Sequence, residues 1–262
     1  VTAGRTTLNG EGLQHQDGHS HLVALTIPNC KSYDPTYGYE LAVIIQDGIR
    51  RMYGEGENCF YYVTSMNENY AHPAMPEGAE EGIIKGMYLL KESKTGDNPK
   101  VQLMGAGSIL VEVQAAAEML KSDWNVDSDI WSMTSINEVY REAKSVDRWN
   151  LLHPGEEARV PMITSLLKDR KGPAVIATDY IQAHSELLRG FIPGTYRVLG
   201  TDGFGRSDTR SQLRNHFEVD RNYVTVAALR SLADDGVVDK SLVADAIAKY
   251  GIDPEKADPM TL

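Results

Sequence analysis

Residues 36–53, TYGYELAVIIQDGIRRMY, lead into CFYYVT at 59–64. In the first stretch Tyr37, Leu41, Ile44, Ile45, Ile49 and Met52 recur at steps of three and four, which predicts an amphipathic helix, and Gly54 supplies its stop. The second, aromatic and β-branched, reads as a strand. Upstream, the apolar run LVALTI at 22–27 predicts a short buried strand, and residues 28–35 hold the turn formers that end it. Strand, helix and strand make a parallel βαβ unit.

The run NENYAHPAMPEGAEEG at 67–82 has two prolines and four acids and cannot bury a face, so it reads as a linker with its acidic run 77–81 solvated. The domain boundary falls there, giving domains 1–75 and 76–262. Beyond it, strands are expected at 83–90, 101–105, 130–134, 174–178 and 196–200. Helices are expected at 108–122, 136–143, after an Asp179 cap, and at 208–217, 223–235 and 240–249. This alternation predicts an α/β fold with a mostly parallel sheet covered on both faces.

The chain has 262 residues, 42% hydrophobic and 24% charged, enough for a sizeable core. Its formal charge of −11 argues against a nucleic-acid partner. No apolar run approaches the roughly 18 residues of a membrane span, so a cytoplasmic protein is expected. The chain opens at Val1 inside a polar, glycine-bearing stretch, which reads as part of a longer polypeptide. Cys30 and Cys59 are too few for a disulfide framework or a thiolate metal site and read as two buried thiols.

The densest functional cluster is Glu11, His15, Asp17, His19 and His21, on a loop interrupted by Gly10, Gly12 and Gly18. Imidazole exchanges protons near neutral pH, and a loop ahead of a scaffold element is where such groups are presented. Hydrogen-bonded loop histidines are the plainer reading, strongest for His19 and His21. A zinc site from His15, His19 and His21 would need the pair four apart on a helix, which Asp17-Gly18 disfavours. The block Gly200, Gly203, Gly205 ahead of Ser207-Asp208 matches neither nucleotide-binding glycine pattern. It reads as a tight strand-to-helix turn with Ser207 or Asp208 as N-cap, or else as an anion or regulatory site using Arg206 and Arg210. His153 and His184 read as surface or satisfied core residues.

The segment TTLNGEGLQHQDGHSH at 6–21 resembles the signature loop of the homodimeric type of pyruvate dehydrogenase first component, a thiamine-diphosphate-dependent decarboxylase. IPNC at 27–30, NENY at 67–70, PAMPEGAEEGI at 73–83 and GTDGFGRSDTR at 200–210 agree in the same order, so the resemblance covers essentially the whole chain.

It implies a transketolase-like fold of three consecutive α/β domains. Residues 1–75 would be the C-terminal part of the aminopyrimidine-binding middle domain, and 76–262 the transketolase-type C-terminal domain. It implies thiamine diphosphate and Mg²⁺ in the full-length enzyme, their main motifs lying outside this chain. Pyruvate would be the substrate, the lipoyl domain of the dihydrolipoyl acyltransferase component the acyl acceptor, and the assembly a homodimer. His15 matches the family's substrate-side histidine and Glu11 a carboxylate of the same pocket that would orient or tune it. Transketolases carry an acid and a histidine four residues on, matched by Asp17 and His21. The cofactor performs the carbon chemistry, leaving orientation and proton transfer to the protein, the latter worth ~10²–10⁴-fold. A different expectation is that the C-terminal domain serves mainly as a structural, dimerisation or complex-binding regulatory module without its own catalysis.

Overall fold

The computed structural model describes residues 4–94 and 96–262. The run expected as a first strand is instead a helix, α1 (Ser20–Leu25). Asp17 Oδ1 accepts from the backbone N–H groups of His19, which precedes the helix, and of Ser20, its first residue, at 2.9 and 3.0 Å. Six apolar residues do not distinguish helix from strand by periodicity. Here His21 and Ala24, three apart, face inward while Val23 is exposed. Strand β1 (Cys30–Tyr33) lies inside the stretch read as a turn.

The amphipathic helix forms as α2 (Gly38–Ile49), continued by a π-helical turn at Arg50–Gly54. Strand β2 (Phe60–Val63) pairs parallel with β1, Cys30 opposite Phe60 through Tyr33 opposite Val63, so the βαβ unit stands with its first strand displaced. Cys30 is buried, but Cys59, just ahead of β2, is only half-buried. The segment after β2 does not hang free: the Tyr70 hydroxyl donates to the Thr36 carbonyl at 2.6 Å, and His72 Nδ1 accepts from Gly38 N–H at 2.9 Å.

The strand expected at 83–90 divides into α3 (Glu80–Lys85) and β3 (Tyr88–Lys91). Gly86 breaks it: its φ is +99°, and a Cβ there would stand 2.3 Å from the Ser135 carbonyl oxygen, so only glycine fits the turn. The rest alternates: β4 (Lys100–Gly105), α4 (Ile109–Trp124), β5 (Asp127–Ser132), α5 (Ile136–Leu152), α6 (Met162–Leu167), β6 (Ala174–Ala177), α7 (Gln182–Glu186) and β7 (Tyr196–Leu199). Helices α8 (Arg210–His216), α9 (Arg221–Asp234) and α10 (Lys240–Lys249) follow. Two caps differ from expectation. Asp179 turns its carboxylate away from α7, and the N-cap of α8 is Thr209, whose hydroxyl accepts from Gln212 N–H.

The five-stranded sheet runs β3-β5-β4-β6-β7, parallel except for β3 at the edge. Alternation along β4 sends Val101 and Leu103 into a core with α4 and α9, and Met104 into a second core with Trp131, Ile136, Val139 and Ile163. Both faces are therefore covered. Among the described residues no helix is long and apolar enough to cross a membrane.

Candidate active site

In open α/β sheets, ligands sit in the crevice outside the carboxyl ends of the strands. In this chain its own residues 4–21 occupy that crevice. The Asp179 carboxylate, just beyond β6, accepts from Thr6 N–H at 2.9 Å and from the Thr7 hydroxyl at 2.8 Å, and Thr7 also meets Ser108 at the start of α4. Asp34, just beyond β1, is tied to the loops after β4 and β5: its N–H donates to the Thr134 carbonyl and its carbonyl accepts from Gly107. The functional segment thus lies between the two-stranded unit and the five-stranded sheet.

The four singled-out residues land in three environments. Glu11 and His15 are exposed, His15 at the end of a 3₁₀ helix at Leu13–His15; among the described residues neither side chain makes a hydrogen bond or ion pair. Asp17 lies under the start of α1 with Oδ2 buried and unbonded. His19 is exposed, 3.4 Å from the Arg5 guanidinium.

His21, 2% exposed, belongs to a sealed chain of hydrogen bonds. Asn137 Nδ2 donates to Ser32 Oγ at 2.6 Å, Ser32 lies 3.2 Å from His21 Nδ1, and His21 Nε2 lies 3.3 Å from Thr64 Oγ1, which donates to Asp34 Oδ1 at 2.6 Å. The pattern is satisfied with the imidazole proton on Nε2. At the other end Asn137 Oδ1 accepts from His184 Nε2 at 3.0 Å, and the two imidazoles stack at 5.6 Å. Burial pushes the His21 pKa down to about 3 and that of His184 well below its usual value, and it pushes the Asp34 carboxyl up to about 7. The two imidazoles are thus held neutral, and the Asp34 carboxyl ionises only above about pH 7.

Sequence reasoning missed Asp34, Asn137 and the pairing of His184 with His21. Nothing in a single polar residue between apolar neighbours marks it as part of a network closed by a partner 47 or 116 positions away. It also treated the 200–210 block and the histidine loop as separate features. They are in contact: Gly10 N–H donates to the Asp208 carbonyl, Arg5 to the Gly203 carbonyl, and the Gln16 carboxamide, turned to suit its neighbours, to the carbonyls of Arg5 and Arg206. This packing supports the turn reading of the glycines, since a Cβ on Gly205 would come within 2.5 Å of Gln16 Cβ.

Among the described residues no three His, Cys, Asp or Glu converge to hold a metal ion. The cavity bounded by His21, Asp34, Thr178, Tyr180 and His184 is about 10 Å³, room for one water. This cavity does not fit a diphosphate and its metal.

The family described as "Pyruvate dehydrogenase E1 component middle domain" matches residues 1–73, and "Transketolase-like TK C-terminal domain" matches residues 86–220. The chain is 58% identical over 260 residues to the pyruvate dehydrogenase E1 component of Pseudomonas aeruginosa, covering 99% of this chain and 30% of that protein. The same component from Escherichia coli K12 is 59% identical, covering 98% and 29%. The chain thus spans about 30% of the length of these curated relatives. Among solved structures, a Pichia stipitis transketolase superposes with a TM-score of 0.63 at 16% identity over 90% of this chain and 30% of that one. A Campylobacter jejuni transketolase gives 0.61 at 18% identity over 88% and 30%. These two establish a shared fold.

Proposed function

The chain belongs to the family of pyruvate dehydrogenase E1 components, and on that premise we propose that it forms the substrate-side, proton-handling part of a thiamine-diphosphate-dependent decarboxylase acting on pyruvate. When bound, the cofactor supplies the carbon chemistry. Because the cavity beside His21 does not fit its diphosphate and metal, its anchoring is assigned to the remainder of the full-length protein.

His15 carries the reading. Of the three imidazoles on the 4–21 segment, His21 is sealed in a neutral network and His19 lies against Arg5, whereas His15 faces solvent on a loop braced from below. An exposed imidazole can hydrogen-bond the reacting oxygen of a 2-oxoacid and pass a proton as charge develops. Glu11, exposed one turn earlier, sets a negative charge at the same rim. Asp17 holds α1 in place through its two backbone acceptor bonds, and His21 fixes the floor of the loop.

Val23, Ile45, Ile49, Tyr53 and Phe60 stand exposed on the 1–73 part, apolar surface suited to packing against further protein. This favours a homodimer as the working form; Mg²⁺ and the cofactor held elsewhere in it, a lipoyl domain of the acyltransferase as acceptor and a cytoplasmic setting are proposed on the family resemblance alone.

The test is His15→Asn in the full-length protein, assayed for pyruvate decarboxylation and lipoyl acetylation. The expected loss is ~10²-fold or more in kcat with the fold retained. Turnover within about twofold of wild type overturns the reading.

A further inference from the structure

We propose that Arg210 is a positioning residue for His15, acting as the clamp that fixes the loop on which the imidazole stands; this rests on the reading of His15 above. The His15 side chain has no partner of its own among the described residues, so its location is set by backbone alone. That backbone is intrinsically loose: Gly10 has φ +73° with nothing within 4 Å of where a Cβ would be, and Gly12 follows two residues on. Something outside the loop must hold it.

Arg210 reaches three chain segments at once. Its Nε donates to the Thr7 carbonyl at 2.9 Å, its Nη2 lies 3.3 Å from both the carbonyl and the side-chain oxygen of Asn67, and its own backbone N–H donates to Asn9 Oδ1 at 3.2 Å. It thereby joins the start of the His15 loop, the connection between the two units and the first turn of α8. The Asp208 carbonyl, two residues earlier, takes Gly10 N–H. A planar guanidinium can serve acceptors in two directions from fixed positions, which an ammonium cannot. The charge is not committed to a close ion pair either, since the nearest carboxylate, Glu68, stands 3.9 Å from Nε. Arg214, by contrast, is buried between Glu68 and Glu112 and serves the packing of the units.

A clamp of this kind acts on the reaction only through the group it positions. A displacement of about 1 Å at a catalytic group costs up to ~10²-fold. The experiment is a double-mutant cycle in the full-length protein: His15→Asn, Arg210→Lys and the pair, each measured for kcat, KM for pyruvate, the pH profile of kcat and the thermal midpoint. Arg210→Lys, which keeps the charge, is expected to lower kcat ~10-fold or more and to displace the pH profile of kcat, leaving the midpoint and KM nearly unchanged. In the His15→Asn background the same change is expected to cost almost nothing further. An equal loss in both backgrounds overturns the clamp while leaving His15 catalytic, as does an unchanged kcat for Arg210→Lys alone. A normal kcat for His15→Asn removes the premise and the clamp together.

Discussion

Replacing His21 by Gln removes a titrating group from the centre of the sealed network without removing its polarity. In the folded chain burial holds the His21 pKa at about 3, whereas an unfolded chain titrates at about 6.5. Below pH 6.5 the unfolded state therefore binds a proton that the folded state refuses. Stability from this group is complete above pH 6.5 and declines as pH falls toward 3. Between pH 6.5 and 4.5 the loss comes to about 2 kcal/mol for this one group. His184, also depressed by burial, acts in the same direction. Asp34 acts in the opposite one: its carboxyl, raised to about 7, binds a proton on folding and adds stability as pH falls from 7 toward 3.8. The Asp34 contribution has no cause in His21 and cancels in the difference, whereas the part of the His184 depression owed to the His21 charge disappears in the variant and widens the effect in the same direction. The assay is urea unfolding followed by tryptophan fluorescence at pH 6.5 and 4.5. His21→Gln is expected to be the less stable protein at pH 6.5, with the gap between the two narrowing by about 2 kcal/mol at pH 4.5. Parallel stability curves for the two proteins would refute the argument that His21 is held neutral.

Two further outcomes follow from local geometry. Gly172→Ala places a Cβ 1.7 Å from the Lys100 carbonyl oxygen at φ +85°, so it should lower stability by more than about 2 kcal/mol. Gly155→Ala, with nothing within 4 Å, should stay within about 0.5 kcal/mol, and thermal midpoints of the two variants test the contrast. In the native state a maleimide reagent should label half-buried Cys59 well before Cys30, whose thiol is buried and pushed up in pKa; mass spectrometry of partially labelled protein showing the reverse order would contradict the burial assignment.

The order of strands and helices was legible wherever periodicity and punctuation agreed: α10 begins and ends at the expected residues, and β4, β6 and β7 fall within one or two residues of theirs. It failed where a short apolar run had two physical readings. LVALTI at 22–27 became helix because Asp17 caps it and because β1 occupies the next available edge beside β2, a competition that no local window contains. The segment 83–90 failed for a tertiary reason as well, since the break at Gly86 is forced by the close carbonyl of Ser135. The site was legible as a list of residue types on one loop. Which of them faces solvent depends on Asp34, Asn137, His184 and Arg210, reached only through folding.

Three histidines within seven positions therefore carry three different assignments, and the cause is environmental in each case. His21 follows the buried side of α1 into a pocket whose hydrogen bonds are already arranged for a neutral ring, so protonating it would break the bond accepted at Nδ1 and leave a charge in a cavity too small to hydrate it. His19 sits at the mouth of that helix, exposed and against the Arg5 guanidinium. His15 alone stands on backbone held by partners other than its own side chain. The proposed role of His15 in proton transfer rests on that separation of the side chain from the contacts that fix its position. Asp179, Gln16 and Arg210 hold the segment through hydrogen bonds on both sides, and the two buried imidazoles beneath are held neutral by burial.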